Sequence, residues 1–204
     1  MLDTYGKKSA WARHNAAEQD AIKDAAQQIE KNLRRVAIEY HNHAKKLGSG
    51  RQATRVYDLA YEAYTTYLSE YPSSTHAYAM HYAFGELLYK TKKHDEAFEQ
   101  YMAVVKLDPK GKHSRFCAES AIFAADAMVK QEKKAAGAAS TNSKEAQPLT
   151  SWEQKLVDAC HQYARLYPED KKVRNIIYKS AYLLYNKNRY EEAAEQFKVV
   201  IKMD

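Results

Sequence analysis

Apolar residues along this chain return at steps of three, four and seven, the period of an amphipathic helix rather than the alternation of a half-buried strand. Leu87, Leu88, Ala97, Tyr101, Val104 and Val105 mark two such stripes around a short polar break from Lys90 to His94. That spacing predicts a helix, a tight turn and a second helix. Upstream, Ile22, Ile29, Leu33, Val36, Ala37 and Tyr40 form another stripe, followed by the turn composition Gly48-Ser49-Gly50. Tyr71-Pro72 and Tyr167-Pro168 close helices, because a proline ring disfavours helical geometry in the residue before it.

The stripes also repeat over a longer distance. Sliding the chain by 96 residues lays 57–108 over 153–204 without a gap. The shift matches Tyr67 with Tyr163, Tyr71-Pro72 with Tyr167-Pro168, Leu87-Leu88-Tyr89 with Leu183-Leu184-Tyr185, and Glu96-Ala97 with Glu192-Ala193. A period of this kind marks a module that cannot bury its apolar face alone and stacks on its neighbours. The expected organisation is one repeat domain over 1–204: an N-terminal helix in 1–20, then helix pairs at about 20–72, 73–109, 112–168 and 169–204. The third pair is interrupted by a small-residue insertion at 135–149, expected to be a mobile loop, after which Thr150 with Glu153, or Ser151 with Gln154, would cap the next helix.

Composition changes this picture little. With 6 Gly and 4 Pro in 204 residues there is not enough turn chemistry for many short strands, so the chain reads as all-α. An apolar share of 45% beside 28% charged residues is that of a folded chain. No apolar run is long enough to cross a bilayer, and the first residues lack the features of a secretory signal. The eight His do not cluster, and HExxH, GxSxG, a phosphate-binding glycine loop and CxxC are all missing, so nothing argues for an enzyme, a metal or a cofactor. Cys117 and Cys160 read as buried thiols; as they fall on the two helices of one pair, a disulfide between them stays open.

The run Tyr82-Ala83-Phe84-Gly85-Glu86-Leu87-Leu88-Tyr89, followed by Asp95-Glu96-Ala97, Tyr101, Val104 and Leu107-Asp108-Pro109, resembles the tetratricopeptide repeat. The resemblance implies a solenoid of about four antiparallel helix pairs in a right-handed superhelix. Small residues, Gly85 with Ala97 and Ala181 with Ala193, would stand where paired helices cross. It also implies that the chain stops short of a polar capping element and is a fragment of a longer array. Tyr67-Leu68-Ser69-Glu70-Tyr71-Pro72 is similar to the envelope branch of that family: the outer-membrane assembly lipoprotein, the Tol-Pal coordinator and the repeat proteins of myxobacterial gliding-motility complexes. Tyr5-Gly6-Lys7-Lys8-Ser9-Ala10-Trp11 is similar to the segment before the repeats in the last group.

Carrying over the family's inner-face positions gives a peptide-binding groove of Arg34, Ile38, His41 and Asn42, then Tyr82, Glu86, Tyr89 and Lys90, then Tyr178, Tyr182, Tyr185 and Asn186. Ala121, Ala125 and Met128 would supply the third pair's share. Tyrosine offers stiff contact area with a polar tip. Cations gather at the turns within pairs, at Lys45, Lys46, Lys92, Lys93, Lys133, Lys134, Lys187 and Arg189, and the net charge is +6. They suit helix C-termini, and they form a basic edge able to meet an anionic surface. No nucleic-acid-binding motif accompanies them. The expected function is a non-catalytic protein–protein interaction scaffold of a bacterial envelope or motility complex, periplasmic or otherwise cytoplasmic. The alternative is a regulatory or substrate-recruiting module of a larger enzyme or chaperone.

Overall fold

In the computed structural model, which describes residues 2–6, 9–136 and 145–203, the chain is all-helical, with no strand among those residues. Ten helices follow in order among them: α1 Leu2–Tyr5, α2 Ala10–His14, α3 Gln19–Leu47, α4 Arg51–Glu70, α5 Ala77–Lys90, α6 His94–Leu107, α7 Ser114–Ala136, α8 Ser151–Leu166, α9 Val173–Asn186 and α10 Tyr190–Ile201. They fall into two compact units, Met1–Leu87 and Leu88–Asp204, whose division lies inside α5. Most of the insertion expected to be mobile, 137–144, lies outside the described residues, as do Lys7 and Lys8 of the N-terminal resemblance.

In the first unit α3 packs on α4 around Ala37, Ala44, Ala53, Ala60, Tyr57 and Tyr64. The small residues let the two axes approach, and the tyrosines fill what remains. Tyr64 stacks on Phe84 at 5.3 Å between centroids, and Tyr61 meets the same ring edge-on at 5.4 Å. Beneath this layer Tyr67 donates its hydroxyl hydrogen to Glu30, which also lies at the Ser74 hydroxyl.

In the second unit α6 packs on α7, α7 on α8, α8 on α9 and α9 on α10, so each helix meets the next in sequence. Ala181 and Ala193, expected at the α9–α10 crossing, are both buried. The α8 start has the anticipated capping box: Glu153 N donates to Thr150 Oγ1 at 3.2 Å and Thr150 N donates to the Glu153 carboxylate at 3.0 Å. That carboxylate is only 2% exposed and also meets Lys187 Nζ at 2.8 Å. Phe98 and Trp152 meet edge-on at 5.6 Å, with the Lys155 ammonium over both rings and bonded to Glu99 at 2.6 Å.

The 96-residue repeat reappears as backbone geometry. Lys93 N donates to Leu88 O, and 96 residues on Arg189 N donates to Leu184 O. Lys92 and Asn188, one residue earlier, take left-handed φ values of 64° and 58°. After α4 and α8 the chain makes the same two steps, Ser74 N to Tyr71 O and Ala77 N to Ser74 O, then Asp170 N to Tyr167 O and Val173 N to Asp170 O. Gly111 and Ser114 make matching steps between α6 and α7.

Candidate functional site

Among the described residues, exposed aromatic area concentrates on α9. Tyr178, Tyr182 and Tyr185 are each about 50% exposed, while Ile176, Ile177, Leu183 and Leu184 of the same helix are buried. The division follows from helical spacing: positions 178, 182 and 185 share one face and the aliphatic residues hold the other. Tyr178 and Tyr182 stack with planes 10° apart and centroids 6.2 Å apart, and Tyr178 leans on Phe197 at 5.6 Å.

This face borders a groove against α7. Lys172 Nζ reaches Glu119 at 2.6 Å and Lys179 Nζ reaches Asp126 at 3.0 Å, with 53 residues between the partners in both cases. Two bridges of equal offset, seven residues apart on each side, with Lys172 at the N-cap of α9, require α7 and α9 to run parallel. Between them lies a cavity of about 520 Å³ lined by Asp126, Val129, Lys130 and Lys133 of α7 and by Asn175, Tyr178, Tyr182 and Asn186 of α9, among others. Its volume falls within the roughly 300–1,000 Å³ usual for binding pockets.

Asp126 sits at the charged centre of this groove, bonded to Lys179 and, at 2.7 Å, to Lys130. Burial pushes its carboxyl up, but the two ammonium hydrogen bonds outweigh that and hold it below the usual carboxylate range. The same bond raises the Lys130 ammonium. Both charges are therefore fixed at neutral pH.

The expected groove residues are distributed unevenly. Tyr178, Tyr182 and Asn186 line the α7–α9 cavity, and Tyr185 is exposed on the same helix but pairs edge-on with Tyr190 at 5.5 Å. Tyr89 and Lys90 are exposed at the end of α5, with the Tyr89 ring against His94 at 4.9 Å, whereas Tyr82 and Glu86 are half-buried. Arg34 is partly buried and lies 3.5 Å from Glu30. His41 is corrected outright: it is 8% exposed, its Nδ1 is 3.2 Å from the Tyr64 hydroxyl, and it belongs to the α3–α4 core. Burial, then the nearby Lys45, pushes its imidazole down to about 4, so it is neutral and offers no charge to a ligand.

The third pair's share is corrected as well. Ala121 and Ala125 are fully buried, and α7 instead exposes Phe116 and Phe123, each 47%. Its alanines supply too little contrast to fix the helix's rotation, but the seven-residue spacing of the two phenylalanines was an available signal. Of the basic edge, Lys45, Lys46, Lys92, Lys93, Lys133 and Lys134 are exposed, but Lys187 is committed to buried Glu153 and Arg189 forms a fork onto Glu192 at 2.6 and 2.9 Å. Those two have little charge left for an outside partner.

Cys117 on α7 and Cys160 on α8 are buried thiols, and burial pushes Cys160 up to about 12, so it is no nucleophile. Among the described residues, no three His, Cys, Asp or Glu side chains gather to hold a metal, and no helix is long and apolar enough to cross a membrane. No protein-family model matches the chain, and no curated protein matches its sequence.

Proposed function

We propose that this chain is a non-catalytic protein–protein interaction scaffold of the tetratricopeptide type, with helix pairs stacked as a right-handed solenoid. The observation that carries the reading is the α9 face: three tyrosines half open to solvent beside a groove, on a helix whose other face is fully packed. A folded chain gains nothing by exposing so much ordered aromatic area, and tyrosine is among the residues that dominate binding energetics at interfaces. The repeated turns at Lys92 and Asn188, 96 residues apart, support a repeat architecture.

The resemblance in residues 67–72 extends the proposal to a bacterial envelope or motility complex with a periplasmic address. The experiment is site-specific photo-crosslinking in the native cell from position 182, with position 58 on exposed α4 as reference. A discrete crosslinked protein from 182 but not from 58, in the periplasmic fraction, is the expected result. Crosslinks of equal yield from both positions would sink the binding face, and a cytoplasmic adduct would sink the address.

A further inference from the structure

The groove between α7 and α9 has a chemical preference, and it can be read from which of its polar groups are already engaged. Lys130 and Lys179 are spent on Asp126. Among the described residues, no hydrogen bond or ion pair engages the Lys133 ammonium, the Asn175 and Asn186 carboxamides, or the Tyr178 and Tyr182 hydroxyls. Three lysines therefore face the cavity against a single aspartate, and that aspartate is already neutralised.

Resting on the docking role argued above, we infer that this groove selects acidic peptide segments, holding a ligand carboxylate at Lys133 and an apolar ligand side chain on the stacked Tyr178–Tyr182 rings. Charge complementarity sets the sign: a basic segment would meet three ammonium groups, while an acidic one meets an unengaged ammonium whose neighbours are also cationic. The two carboxamides each offer a donor and an acceptor, the pairing a peptide backbone needs. Exposed tyrosines continue from 178 to 185, about 10 Å along the helix axis, so the surface fits an extended ligand better than a small anion. Single-stranded nucleic acid also stacks on aromatic rings beside cations, but with Lys130 and Lys179 engaged by Asp126 the cavity leaves one ammonium open, too few to track successive phosphates.

The test is selection from a displayed library of random twelve-residue peptides on the whole chain. Enriched peptides should carry net negative charge with at least one aromatic or aliphatic residue. A synthetic copy of one should lose at least tenfold in affinity with Lys133→Glu and with Tyr182→Ala, and less with Lys133→Gln. It should be unaffected by Lys46→Glu, the same charge change on the other unit. Unchanged melting temperatures confirm that each variant is folded. Enrichment of neutral or basic peptides that still need Tyr182 would overturn the acid preference and leave the docking role standing. Equal losses from Lys133→Glu and Lys46→Glu would also overturn it, by reducing the effect to net charge. Tighter binding of a twelve-base single-stranded oligonucleotide would replace the peptide as ligand. Failure to enrich any peptide would overturn the docking role itself.

Discussion

Tyr67 and Tyr163 occupy one position of the duplicated module and are equally buried, yet their hydroxyls meet different partners. In the first unit the hydroxyl donates to Glu30, and the Ser74 hydroxyl completes the triad at 3.0 Å. In the second unit the position of Ser74 is taken by Asp170, whose carboxylate is claimed by Arg115 and by Lys172 N at 2.8 Å. The Tyr163 hydroxyl is left buried beside that carboxylate without a well-formed hydrogen bond. Burial is the leading cause that pushes both phenols up to about 12. The module thus preserves the ring, which fills space, while each copy resolves the polar end in its own way.

Deleting the ring should hurt both copies alike. Tyr67→Ala and Tyr163→Ala should each cost about 3–5 kcal/mol, as other large aromatic truncations do, read as a fall in the denaturation midpoint. A loss confined to one variant would mean that the two positions are not structurally equivalent.

Next in size is an effect centred on the first unit, although burial also pushes His94 of the second unit down. His41 has a folded pKa of about 4 against 6.5 in the unfolded chain, so as pH falls the unfolded chain takes up the proton first. Its contribution is intact above pH 6.5 and is lost progressively down to about pH 4, by about 3 kcal/mol in all. Chemical denaturation from pH 7 to 4 should show this slope in the native chain and a shallower one in His41→Phe; equal slopes would return the acid sensitivity to other groups.

How much of this was legible beforehand depended on contrast along the helices. The turns at Lys92 and Asn188, the Tyr-Pro helix ends and the Thr150–Glu153 cap depend on local chemistry, and all were readable from a few adjacent residues. α9, with Leu183-Leu184 set against polar neighbours, was placed well enough for Tyr178, Tyr182 and Asn186 to be found at a cavity. The rotation of α7 is less legible, because a helix of Ala118, Ala121, Ala124 and Ala125 looks nearly alike from every side and hides the exposed face of Phe116 and Phe123. The place of His41 is illegible for another reason. A histidine at helical spacing looks like a polar contact until Tyr64, 23 residues away, supplies its buried partner.

Removing only the hydroxyl sharpens the comparison at lower cost. Tyr67→Phe breaks a bond to a carboxylate and should cost about 1.5–3 kcal/mol, whereas Tyr163→Phe removes a hydroxyl with no good partner and should be neutral or slightly stabilising. Equal losses would show that Tyr163 has a hydrogen bond after all. The neighbouring tyrosines make a smaller test. Tyr167 donates to Pro109 O at 2.8 Å and Tyr71 to Ala26 O at 3.5 Å, so Tyr167→Phe should cost about 1 kcal/mol and Tyr71→Phe close to nothing. The smallest change concerns the left-handed turns. Lys92→Gly should stabilise by up to about 1 kcal/mol by removing a side chain from a strained φ, and Asn188→Gly by less, since asparagine tolerates that geometry. Melting curves of the two variants side by side decide it.

The cap on α8 has a consequence for how this gene could vary. Thr150 and Glu153 fix the helix start, Lys187 closes over the buried carboxylate, and Gln147 N ties the approach to Lys187 O at 2.8 Å. On the other side the Thr150 hydroxyl donates to Glu132 of α7 at 2.6 Å, so the cap joins three helices at one point. Thr150, Glu153 and Lys187 are therefore expected to change together or not at all, because altering any one of them leaves the buried Glu153 carboxylate short of a partner.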